Sequence, residues 1–122
     1  MAWELANDRP IYLQLLQQIQ LRIASGFYLP GEKLPSVRDL ASEASVNPNT
    51  MQKALSELER QGLLYSQRTA GRYITEDEEM IRLMKEQLAL QQVQEFFARM
   101  QQLGFDIEQT VALITKQAEE MK

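Results

Sequence analysis

VNPNTMQKALSELERQG, residues 46–62, opens on polar residues, carries apolar ones at helical spacing and ends on a glycine. Asn47 is a good N-cap and Pro48 suits the first helical position, where its missing N–H costs nothing. Met51, Ala54, Leu55 and Leu58 then recur at three- and four-residue steps. The spacing predicts a helix running to Gly62 that buries this stripe and leaves Asn49, Thr50, Gln52 and Lys53 on its exposed leading turns. A helix built this way offers its front end to a partner.

Working upstream, Ser36 predicts the start of another helix, with Asp39 three positions on in a capping-box-like arrangement and Val37, Leu40, Ala41 and Ala44 facing inward. It is expected to end near Ser45, only a few residues before Asn47. Two helices joined so tightly form a helix-turn-helix, in which the second can lie in a DNA major groove. Before them, FYLPGEKLPS carries Pro30-Gly31 and Pro35, which predict a turn and a short extended piece around Lys33 and Leu34. Further back, Tyr12, Leu15, Leu16, Ile19 and Ile23 mark a first helix, with Asn7 or Asp8 as expected N-cap, Pro10 in the first turn and Gly26 at the C-terminal end.

Downstream, LLYSQRTAGRYIT is rich in β-formers and alternates around a polar tip with Gly71, which predicts a two-stranded hairpin. Helix, turn, helix and hairpin together make a winged helix. After Thr75 the composition changes. EDEEMIRLMKEQLALQQVQEFFARMQQLG has no internal Gly or Pro and reads as one long helix, and FDIEQTVALITKQAEEMK as a last one with Asp106 as N-cap and Gln109 at its third position. The acidic run Glu76–Glu79 is expected to serve the positive end of the long helix rather than a metal. Leu83, Leu90 and Phe97 repeat every seven residues, and Val93, Phe96 and Met100 add a second stripe. A face this wide, with Ile107, Val111 and Ile114 on the last helix, calls for another chain, so these nine residues are the expected dimerisation surface. The fold class is therefore mainly α with a small β-hairpin: a winged helix-turn-helix DNA-binding domain over residues 1–75, then a two-helix dimerisation tail over 76–122.

Bulk composition restricts the chemistry. The 122 residues are 44% apolar and 25% charged, an ordinary folding composition. They include no cysteine and no histidine, which removes disulfides, thiolate zinc sites, imidazole general bases and Ser-His or Cys-His nucleophiles. No catalytic constellation, cofactor or metal site is expected. The N-terminus lacks a basic and apolar leader, and no segment approaches the roughly 18 apolar residues of a membrane span, so a cytoplasmic protein without membrane contact is expected. The formal charge of −4 argues against nucleic acid until it is divided. Residues 1–75 hold 8 Lys and Arg against 7 Asp and Glu, net +1, whereas residues 76–122 hold 5 against 10, net −5. The acidity belongs to the tail, and the hairpin carries Arg68 and Arg72 with no acid.

Leu34-Pro35-Ser36, Arg38, Leu40-Ala41, Val46-Asn47, Asn49-Thr50, Ala54-Leu55, Leu58, Gly62-Leu63 and Gly71 follow in order, and Pro10-Ile11-Tyr12, Gln14, Gly26 and Pro30-Gly31 extend the pattern upstream. This resembles the winged-helix signature of the GntR family of bacterial transcription regulators. The Asn-Pro-Asn-Thr run and the short tail look most like its YtrA branch, whose members carry a small dimerisation region. The resemblance implies a homodimer that binds a palindromic DNA operator and represses transcription, with Ser36, Arg38, Asn47, Asn49, Thr50, Gln52 and Lys53 contacting DNA from the helix-turn-helix. In the wing it implies Arg68, Thr69, Gly71 and Arg72, the two arginines suiting a narrow minor groove. The wing run Arg68-Thr69-Ala70-Gly71-Arg72-Tyr73-Ile74 departs from the common Arg-Gly-x-Gly-Thr-Phe-Val, lacking the first glycine and placing arginine where threonine is usual. Pro48 also stands where many members have a basic residue. The competing reading is a winged-helix module that binds protein without reading DNA. A small-molecule effector between the tail helices stays open, although so short a tail has little room for a ligand domain.

Overall fold

The computed structural model describes residues 2–68 and 70–122. The chain runs α1 (Ile11–Ala24), α2 (Val37–Ala44), α3 (Pro48–Arg60), β1 (Leu64–Gln67), β2 (Gly71–Ile74), α4 (Glu78–Gln102) and α5 (Ile107–Met121). It divides into two compact units, Met1–Lys85 and Glu86–Lys122.

In the first unit α3 is the hub, packing on α1, α2 and β1. Its stripe of Met51, Ala54, Leu55 and Leu58 meets Leu15 and Ile19 of α1 and Leu40 and Ala41 of α2 in the core, all at most 2% exposed. Burying a leucine or isoleucine in this way stabilises the fold by about 1.5–3 kcal/mol each. The helix-turn-helix closes without glycine. Ser45 takes the left-handed conformation at φ 57°, and the Val46 N–H donates to the Ala41 carbonyl at 3.0 Å. The Ser36 hydroxyl accepts from the Asp39 N–H at 3.1 Å and caps α2.

Strands β1 and β2 pair antiparallel, Leu64 with Ile74 through Gln67 with Gly71. The extended piece predicted around Lys33 lies along the outer edge of β2: Lys33 bridges Tyr73, the Leu34 N–H donates to Arg72, and the Ile74 N–H to Glu32. Leu34 is thereby buried beneath the wing.

The start of α1 differs from the sequence expectation. Its N-cap is Pro10, with no side-chain cap, rather than Asn7 or Asp8. Proline disfavours helical geometry in the residue before it, so the helix starts only after Pro10 and the bends at residues 7–9 stand outside it. Gln14 and Gln18 hold this arm instead. The Gln14 amide accepts from the Ala6 N–H at 2.6 Å and donates to the Ala6 and Arg9 carbonyls, while Gln18 brackets the backbone of Glu4. The arm brings the Trp3 ring centroid to 3.9 Å from the guanidinium of buried Arg22, which also donates to the Tyr28 hydroxyl. Cation–π contact and a hydrogen bond offset the desolvation of that charge.

The first turns of α4 belong to this unit too, which therefore extends past Thr75. Met84 is buried, and Met80 lies against Gly62, whose φ is +85°. Asp77 accepts from the Met80 N–H at 3.1 Å and caps α4, the helix-start role expected of the acidic run.

In the second unit the rest of α4 leads through Gly104, at φ +98°, into α5. Asp106 and Gln109 form the expected reciprocal capping box. Thr110 alone among the described residues of this unit is buried. Leu90, Val93, Phe96, Ile107, Val111 and Ile114 are all exposed, Phe97 and Met100 half-buried. Among the described residues no helix is long and apolar enough to cross a membrane.

Candidate nucleic-acid interface

Helix α3 presents three of the four residues expected on its leading turns, and Thr50 is less exposed than anticipated. The Asn47 side-chain oxygen accepts from the Asn49 N–H at 2.8 Å, which fixes where the helix begins and leaves the Asn47 amide NH2 as a donor. Asn49, Gln52 and Lys53 are exposed and Thr50 is half-buried. Lys53 is steadied from an unexpected quarter. Its ammonium sits 3.7 Å from the centroid of the Tyr12 ring, so a residue read as part of the α1 core stripe also supports a cation on the front of α3. The two are 41 residues apart in sequence, and no local pattern announces the contact.

Arg38, near the start of α2, is exposed, and so is Arg68 at the end of β1. Thr69 lies outside the described residues. Ser36, Gly71 and Arg72 are brought together with Lys33 around one cleft of about 490 Å³ between the start of α2 and the wing. Ser36 spends an oxygen lone pair on its cap and keeps its O–H to donate. Gly71 has φ +95°, a conformation that favours glycine at the turn into β2.

Arg72 departs from the expectation of an outward-reaching wing arginine. Its side chain is only 18% exposed and its Nε donates to Glu59 Oε1 at 3.0 Å. The same carboxylate oxygen accepts from the Ser66 hydroxyl at 2.6 Å. Ser66 and Arg72 are cross-strand partners, so the pleat turns both side chains to the α3 side of the wing, where Glu59 neutralises the guanidinium. Further along, Arg72 Nη1 reaches Gln52 Oε1 at 3.5 Å, and the Gln52 NH2 donates to Ser56 Oγ at 3.1 Å. Gln52, Ser56 and Glu59 lie at i, i+4 and i+7, one side of α3.

The hydrogen bond from Ser66, with the bond and charge of Arg72, holds the Glu59 carboxyl below its ordinary value near 4.5. A lowered carboxyl keeps its charge longer in the folded chain, so the unfolded chain takes up the proton first as pH falls. Its contribution is complete above the ordinary value and is lost as pH drops through the lowered one. Thermal melts are therefore expected to weaken as pH falls below about 4.5, and less steeply in Glu59→Gln; equal slopes for the two chains would contradict this assignment.

Among the described residues no group of three or more His, Cys, Asp or Glu side chains could hold a metal. In the second unit Phe96, Leu113, Ile114, Gln117, Ala118 and Met121 line a groove of about 380 Å³.

The family model described as bacterial regulatory proteins, gntR family, matches residues 11–74, which run from the start of α1 to the end of β2. The HTH-type transcriptional regulator YhcF of Bacillus subtilis (strain 168) is 40% identical over 103 residues, covering 84% of this chain and 85% of that protein. The HTH-type transcriptional repressor YtrA of the same organism is 43% identical over 88 residues, covering 67% of this chain and 68% of that protein. Among solved structures, a GntR family transcriptional regulator from Listeria monocytogenes superposes with a TM-score of 0.84 at 38% identity, over 92% of this chain and 98% of its own. The DNA-binding domain of AraR in complex with operator ORX1 matches with a TM-score of 0.54 at 29% identity, over 62% of this chain and 99% of its own. Sequence, winged-helix architecture and relatives agree that the chain belongs to the gntR family of bacterial regulatory proteins and is a DNA-binding helix-turn-helix transcriptional regulator.

Proposed function

We propose that the protein is a cytoplasmic repressor that binds a palindromic operator as a homodimer and acts by occupancy, without catalysis. The observation that carries this reading is the exposed polar front of α3, with Asn49, Gln52 and Lys53 clear of the core that anchors Met51, Ala54, Leu55 and Leu58. Asn and Gln can pair bidentately with adenine, and Lys with guanine or phosphate. Repressor action is supported by the relative YtrA, and operator binding by the AraR domain, which shares the winged-helix core. Residues 1–75 would be the DNA-binding domain. Residues 76–122 would pair two chains, since Leu83, Leu90 and Val93 on α4 and Ile107, Val111 and Ile114 on α5 leave roughly half of their apolar surface exposed. Two-fold pairing would set two α3 helices on half-sites about 10 bp apart.

A gel-shift salt series on duplexes from the protein's own promoter tests this. Specific binding is expected to weaken steeply with salt. Arg38→Ala is expected to lower the slope by about one as a phosphate contact, and Lys53→Ala to cost about 1–3 kcal/mol if it touches a base edge. Equal affinity for promoter and random duplexes would sink the reading. So would full activity after loss of Arg38, Lys53 and Arg68, the result a protein-binding module gives.

A further inference from the structure

Glutamine reads adenine by accepting at Oε1 and donating from Nε2, so which way its amide faces decides whether the pair can form. Gln52 is exposed, and an exposed glutamine ordinarily samples several rotamers, at an entropic cost to any bond it later makes. Here both ends of the amide are engaged. Arg72 Nη1 lies 3.5 Å from Oε1, at the long end of hydrogen bonding, and Nε2 donates to Ser56 Oγ at 3.1 Å. Each contact leaves capacity unused: one lone pair on Oε1 and one hydrogen on Nε2. Arg72 is itself fixed, Nε on Glu59 Oε1 at 3.0 Å, with Ser66 on the same oxygen. Its backbone carbonyl accepts from Leu34 at 2.9 Å. The guanidinium thus ties wing strand, α3 and the Gln52 amide into one unit, and the charge it brings is cancelled locally by Glu59.

We propose that Arg72 is a positioning residue for sequence reading: it presets the Gln52 amide for one base pair and joins the wing to the reading helix, instead of serving as a phosphate or minor-groove cation. A threonine, usual at this position in the signature that the sequence resembles, is too short to span from β2 to Gln52. The arginine fork is suited to it because one planar group offers Nε to the carboxylate and Nη1 to the amide. Lysine's donors radiate from one atom on a flexible stem, so it lacks the fixed separation that sets Nε on the carboxylate and Nη1 on the amide together. The proposal rests on the DNA-reading function proposed above.

The test uses the full chain and a duplex selected from a random-sequence pool by the unaltered protein. Affinity is measured on that duplex and on every single base-pair change, each across a salt series, for the unaltered chain, Arg72→Ala, Arg72→Lys, Gln52→Ala and Arg72→Ala with Gln52→Ala. Arg72→Ala and Gln52→Ala are expected to lose preference at the same base pair, on the order of ten-fold. The double variant is expected to match Gln52→Ala alone, the salt slope to stay unchanged, and Arg72→Lys to behave like Arg72→Ala. Arg72→Lys keeps the aliphatic stem and charge, so it carries the test if the alanine variant unfolds. A loss spread evenly over all duplexes, a slope lower by about one, and rescue by lysine would make Arg72 a phosphate contact and overturn the proposal. An unchanged preference at every base pair in Arg72→Ala would also overturn it. Failure of the unaltered chain to select any duplex would instead remove the DNA-reading function beneath it.

Discussion

A chain carrying Val93→Glu and Val111→Glu is expected to run as a monomer and to bind its operator about 10²–10⁴-fold more weakly, with the winged-helix unit still folded. Both valines are about half exposed in the single chain, at 48% and 47%, so the substitutions remove little packing within it. In a two-fold interface each would bury its carboxylate twice, once per protomer, in a surface made of Leu90, Phe96, Ile107 and Ile114. The affinity loss follows from geometry. In a dimer the second half-site is met at an effective concentration set by the tether, and separating the chains removes that gain without touching a DNA contact. Light scattering after size exclusion gives the mass, and gel shift on full and half-site duplexes gives the affinities. A monomer that keeps full affinity would remove the need for pairing, and an intact dimer would place the interface elsewhere.

The exposed face also shows what the sequence could and could not reveal. Several local signals, whose partner lies a few residues away, carried through to the structure: Ser36 and Asn47 cap their helices, and Pro48 sits at the first turn of α3. The capping box of Asp106 and Gln109 is present, and the run around Lys33 is extended. The period of Met51, Ala54, Leu55 and Leu58 named the buried side of α3 because a wrong face would expose four apolar residues at once. What escaped the sequence depends on distant chain. Asn7 and Asp8 are suitable caps by type, but α1 starts after Pro10, which takes the N-cap position, and Gln14 and Gln18 hold the upstream backbone by hydrogen bonds. Lys53 leans on Tyr12 because α1 packs across α3. Arg72 turns inward because the ladder sets it opposite Ser66 and the α3 flank puts Glu59 within reach. By type alone it reads as a free cation at a wing tip. An arginine's long side chain can bridge to a neighbouring element, as Arg72 does to Glu59, so its destination is settled by packing rather than by neighbours in sequence.

Leu55→Ala is expected to destabilise the winged-helix unit by about 2–5 kcal/mol, a large share of the roughly 5–15 kcal/mol that holds a domain of this size. Leu55 is 1% exposed and stands mid-way along α3, in the stripe that meets both α1 and α2. It also lines the cleft shared by Ser36, Gly71 and Arg72, so truncation opens a void that extends toward the proposed DNA face. Urea unfolding at fixed protein concentration, which keeps dimerisation constant, measures the loss as a shift in midpoint. Asn49→Ala is the contrasting variant. Asn49 is exposed and uses only its backbone N–H in the cap, so its stability should change by no more than about 0.5 kcal/mol while operator affinity falls. A Leu55→Ala cost below about 1 kcal/mol would mean that α3 is not anchored by its apolar stripe. The division of α3 into a buried anchor and an exposed reader would fail with it, because a reading helix holds its side chains in register with a groove only if its own backbone is held.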